Sequence, residues 1–231
     1  VDAEEGAVAA ALSPVPEASA HLELTAATVS YLQELDLLVF EQRVKGTAGA
    51  VVPTARGELH GAPVLGYVFP TTLQPRDVGF DAEEGIVALA VTSHPDFDDT
   101  PLWDEDNNRR YDDDGAIFHT HWVVLGKDAR VPGGLAVRQI RKEEMATVLP
   151  PTHPGMPMLM DSPGFSVLLR GDTLKVLVPA QRASHRQDFR YDAVTAYMEV
   201  RTSGDVPMLG VYRVYSVLSG DLSLPYEVKA R

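Results

Sequence analysis

Apolar residues in this chain recur at every second position or in short runs rich in Val, Leu, Tyr and Phe, and each run is soon cut by Gly, Pro or Asp. Successive side chains of a strand point to opposite faces, so a period of two is the pattern of a half-buried β-strand and not of a helix. The pattern predicts strands over Ala26–Leu32, Leu35–Val44, Val64–Phe69, Gly85–Thr92, Ala116–Leu125, Leu135–Ile140, Phe165–Arg170, Thr173–Val178, Ala193–Arg201 and Met208–Val217. The first two also fit a single helix with Tyr31, Leu35 and Leu38 on one face. Gly171-Asp172 between two β-rich runs is a hairpin signal, which favours consecutive antiparallel strands over crossover helices.

Many short strands with turn residues between them predict a mostly β chain, an antiparallel β-sandwich first and a barrel second, with long loops and little helix. Residues 1–20, rich in Ala, Pro and Glu, read as a flexible segment of the kind left by removal of a signal peptide. Residues 21–231 read as a single β-sandwich domain, and the expected location is periplasmic or secreted.

The chain carries 33 acidic against 20 basic residues, a formal charge of -13. That field repels nucleic acid and anionic lipid and makes cations the natural partners. No apolar run approaches the ~18 residues of a membrane span. Cysteine is absent, which excludes disulfides, thiolate metal sites and thiol nucleophiles.

Two long loops interrupt the strands, and such loops tend to carry function. The first, 94–115, leads into Phe118-His119-Thr120-His121-Trp122. On a strand His119 and His121 share a face while Phe118, Trp122 and Val124 point the other way into a core. Two such imidazoles also suit a solvated sheet face, but the preceding loop shifts the weight. From Asp96 to Asp114 it holds nine acidic residues against Arg109 and Arg110 alone, a density that calls for a cation. If the strands ending near Thr92 and starting near Ala116 pair, His94 returns beside His119. The expected ligands of a transition metal (Cu, Zn or Fe/Mn) are therefore His94, Asp96, Asp98, His119 and His121, with Asp161 as a further ligand or as an acceptor that fixes an imidazole.

Asp104, Asp106 and Asn108, followed by Asp112 and Asp114, offer oxygen ligands suited to calcium. The EF-hand pattern fails at Arg109 and Gly115, where Gly and Glu belong. The second loop, 150–163, places His153 near Met156, Met158 and Met160, a soft-donor set that suits copper, although methionine also fills irregular core gaps.

No Gly-x-Ser-x-Gly elbow, phosphate-binding glycine loop, His-Glu-x-x-His or dinucleotide fingerprint is present. No catalytic residue is assigned. The first expectation is an exported metal-binding β protein. The alternatives are a metalloenzyme with an open coordination position on the same ligands, with Asp99 or Asp161 as proton acceptor, and a calcium-stabilised cell-surface interaction module.

Overall fold

The computed structural model describes residues 14–53, 59–94 and 117–231. Its strands are β1 (Leu24–Leu32), β2 (Leu37–Val44), β3 (Pro63–Pro70), β4 (Ile86–Ser93), β5 (His119–Lys127), β6 (Leu135–Val137), β7 (Met160–Asp161), β8 (Ser166–Arg170), β9 (Thr173–Pro179), β10 (Arg190–Tyr191), β11 (Val194–Val200), β12 (Leu209–Val217), β13 (Tyr226–Glu227) and β14 (Lys229–Ala230). One α-helical turn, α1 (Met145–Val148), and a few 3-10 turns complete the described elements.

β4, β3, β11, β12, β6 and β5 pair in that order, and β5 pairs back to β4, so the six close into a barrel. β7 adds to β5 outside the closed ring. A second sheet runs β14-β1-β2-β9-β8 and packs against the outer wall of the barrel. The core between them joins Phe40 and Val176 of the sheet to Phe69, Leu89 and Trp122 of the wall. Phe40 meets Phe69 edge-on at 5.2 Å and Trp122 at 6.2 Å between ring centroids.

A second core fills the barrel, with Val64, Val68, Ala90, Val123, Met198 and Val211 among its members. Wall strands thus bury both faces, which is why all eight residues of β3 are buried and its sequence is a continuous apolar run. β9 covers one core only, so its residues alternate between buried and half-buried.

The β-rich class is as the periodicity predicts. The architecture combines the two expected alternatives, a closed barrel with a sheet stacked on it. Closure is invisible to periodicity, because a sandwich and a barrel impose the same in-out alternation on each strand.

The segment drawn either as two strands or as one helix forms β1 and β2, joined by a 3-10 turn at Gln33–Leu35 with Asp36 in the left-handed region. The hairpin at Gly171-Asp172 forms with Arg170 opposite Thr173, and Gly171 at φ 59° takes the conformation that such a turn reserves for glycine. The segment expected as flexible is described from residue 14 on, where the Pro16 carbonyl accepts hydrogen bonds from Tyr215 and Arg213.

Candidate metal centre

The antiparallel register of β4 and β5 sets Thr92 opposite His119 and Ala90 opposite His121. His119 and His121 lie on the same face of β5 as Val123 and Leu125, which belong to the barrel interior. Phe118, Trp122 and Val124 belong to the core under the second sheet, as the alternation predicts. The histidine face, however, looks into the barrel and not into solvent. His94 follows β4 directly, and the pairing of β4 with β5 returns it to His119.

The three imidazoles are 2%, 4% and 3% exposed at His94, His119 and His121, and one ring nitrogen from each lies within 4.8 Å of the others. Nε2 of His119 is 2.8 Å from Nε2 of His94. The ring centroids of His119 and His121 stand 4.7 Å apart, and those of His94 and His121 5.8 Å.

Nδ1 of His119 lies 2.7 Å from the Ile117 carbonyl. A carbonyl only accepts, so Nδ1 carries the hydrogen and the Nε2 lone pair is turned toward the other two rings, as in most histidine metal ligands. Nδ1 of His121 lies 2.9 Å from the Ser162 hydroxyl, which orients that ring and can either donate or accept. Burial holds His121 well below the ordinary imidazole range, and His119 and His94 beside it disfavour a proton further. A neutral imidazole is the form that binds a metal.

The donor set fits a borderline transition metal. Three nitrogen donors converge, nitrogen suits Zn, Cu, Fe or Ni, and Ca²⁺ demands oxygen.

Two of the three rings border a cavity of about 130 Å³ inside the barrel, which His94, His121 and Thr92 line together with valine, leucine, alanine and methionine side chains. Among the described residues the lining holds no Asp, Glu, Lys or Arg. Val214, 42% exposed, is the most exposed of the described lining residues.

The other expected ligands fall in different places. Asp96, Asp98, Asp99, Asp104, Asp106, Asn108, Asp112 and Asp114 lie outside the described residues. Asp161 pairs with Trp122 in register, which sets it on the opposite side of the sheet from His121. Its carboxylate accepts from Thr152 at 2.6 Å and meets Arg182 at 3.3 Å, and burial pushes its carboxyl above the usual range. His121 is met instead by the backbone of Asp161 and by the hydroxyl of the neighbouring Ser162.

His153 accepts the Gly155 amide within its own turn. Met156, Met158 and Met160 are buried in the barrel core, and Met156 and Met160 line the cavity. Sequence reasoning missed Ser162 and Thr92. Ser162 carries no sequence signal beyond standing next to Asp161, and Thr92 reads only as the end of a strand.

Comparison with family models, with curated proteins and with solved structures finds no match for this chain, so its chemistry is read from the site.

Proposed function

We propose that the protein holds a transition metal on His94, His119 and His121 and exposes it to a small molecule admitted to the barrel, the arrangement of a metalloenzyme with an open coordination position. One observation carries this reading: three buried imidazoles converge, and two of them, His94 and His121, form part of the wall of an apolar cavity. Structural metal sites are closed by four protein ligands and have no reason to face a void, whereas catalytic sites keep three and leave room for a water or substrate. When bound, the ion supplies a Lewis acid that polarises an oxygen donor or lowers the pKa of bound water.

The chain's own residues prepare that site. The Ile117 carbonyl and the Ser162 hydroxyl orient the His119 and His121 rings. The apolar wall excludes water and strengthens every electrostatic interaction at the ion. A storage role without chemistry uses the same ligands but leaves the cavity without a purpose.

Elemental analysis of the untagged protein by plasma mass spectrometry, alongside a His119→Ala, His121→Ala double variant, tests the site. Near-stoichiometric Zn, Cu, Fe, Mn or Co that vanishes in a folded double variant is the expected result. Failure to retain any of these ions after incubation with each would overturn the reading.

A further inference from the structure

The cavity beside the triad has three properties that together define what fits it. It is about 130 Å³ in volume, close to the ~150 Å³ at which an apolar protein cavity accepts benzene. Its described wall is apolar apart from His94, His121 and Thr92. Thr92 is 3% exposed, and its hydroxyl finds no hydrogen-bond partner among the described residues.

A buried hydroxyl left without a partner is costly, and one that lines a cavity is satisfied most simply by what enters the cavity. Thr92 stands directly across from His119 in register, two residues before His94, and lines the cavity with His94 and His121.

Charge narrows the class. Imidazole binds a metal in its neutral form, so three of them leave the charge of a divalent ion uncompensated, and the described lining offers no carboxylate to balance it. In an apolar wall that charge strongly favours an anionic ligand over a neutral one. An oxygen anion with a short apolar body satisfies the ion, the hydroxyl and the wall at once.

Resting on the metal centre proposed above, we infer that the cavity binds a small apolar monocarboxylate. One carboxylate oxygen meets the ion, the other accepts a hydrogen bond from Thr92 Oγ1, and a tail of about four to six carbons fills the barrel. A second charge on the tail would be buried against valine and leucine with no partner, so dicarboxylates are excluded.

The test uses the full chain loaded with Co²⁺, whose visible bands report any change of ligand. It is titrated with acetate, propionate, butyrate, valerate and glutarate. Affinity is expected to rise about fourfold with each added methylene up to valerate, as apolar surface leaves water. Glutarate, which differs from valerate by a second carboxylate, is expected not to bind in the same range. Thr92→Val, which replaces the hydroxyl by a methyl group of similar size, is expected to weaken valerate on the order of tenfold while leaving the cobalt content unchanged.

Cobalt binding with equal affinities for acetate and valerate, or with glutarate as good as valerate, overturns the inference and leaves the metal centre standing. Absence of cobalt binding, with zinc also refused, overturns the centre and the inference with it.

Discussion

Nε2 of His119 and Nε2 of His94 face each other at 2.8 Å across the end of the β4–β5 pairing. Two ring nitrogens at that separation share one hydrogen. Because Nδ1 of His119 already donates to the Ile117 carbonyl, its Nε2 accepts and His94 is the donor. An ion bound to both requires His94 to shift its hydrogen to Nδ1. Metal–nitrogen bonds of ~2.0–2.1 Å at a tetrahedral angle set the two nitrogens about 3.3 Å apart, so the rings need to part by only about 0.5 Å. A movement of that size lies within side-chain adjustment and leaves the strands in register.

Removing either ring should therefore abolish binding without unfolding the barrel. Addition of Zn²⁺ at about a thousand times its Kd is expected to stabilise the parent protein by ~4 kcal/mol. His94→Ala and His119→Ala are expected to show no such gain in thermal unfolding. A variant that still gains the full amount would show that the ion binds elsewhere.

Ser162 acts on the metal through His121, since its hydroxyl lies 2.9 Å from Nδ1 while Nε2 is the atom left for the ion. Residues that orient an imidazole in this way typically contribute 10- to 100-fold to metal affinity. Ser162→Ala is expected to weaken zinc by about that factor in a competition titration, with the fold retained. Unchanged affinity would remove Ser162 from the site.

Asp161 sits one residue away and should behave oppositely. Its carboxylate is 0% exposed and is held by Thr152 and by Arg182, whose side chain is 36% exposed. Asp161→Ala is expected to cost ~2 kcal/mol in denaturant unfolding, less than a fully buried pair would, because Arg182 can turn to water. Its zinc content is expected to stay that of the parent. Loss of the metal in this variant would return Asp161 to the ligand set.

How much of this was legible follows from what periodicity can carry. The alternation around His119 and His121 placed Phe118 and Trp122 in the opposite core, and the pairing of the strands on either side of the acidic loop brought back His94. A period of two says which residues share a face and nothing about what that face looks at. A histidine pair on such a face suits a solvated surface as well, whereas here it looks into the barrel interior. The two-residue strands β7, β10, β13 and β14 are too short to show any period, and with β7 went the contact from Ser162 to His121. Among the described residues, ten of the fourteen strands are long enough to read. The closing pair of the barrel depends on curvature accumulated over six strands, which no single segment records.

Phe40 is the residue on which the second sheet meets the barrel. It contacts Phe69 and Trp122 edge-on and stacks on Phe189 at 6.1 Å, and it is fully buried. Phe40→Ala is expected to cost ~3–5 kcal/mol, as truncation of a buried aromatic does, with the dependence on denaturant unchanged. Zinc binding at saturation is expected to survive, because Trp122 separates this cavity from the histidine face of β5. A loss below 1 kcal/mol would mean that the sheet does not depend on this contact.

Acid should act on the metal-free protein through the same histidines. Burial depresses His121, so the folded chain refuses a proton that the unfolded chain accepts near the ordinary pKa of ~6.5. Where the unfolded state binds more protons, stability rises with pH. The contribution of His121 is therefore fully present above about 6.5 and is lost as pH falls from there toward the depressed folded value. Asp161, whose carboxyl is raised, works with the opposite sign and in a lower range that begins at the ordinary carboxylate pKa. Between pH 8 and 7 the urea midpoint of the metal-free protein is expected to hold constant, and from 6.5 to 5.5 it is expected to fall. His121→Asn should flatten that fall, since it removes the group that titrates. Because protons compete with the ion for the same nitrogens, loaded zinc should be retained at pH 6 and leave only at lower pH. A midpoint that stays level to pH 5.5 in the parent would show that His121 is not held neutral by the barrel wall.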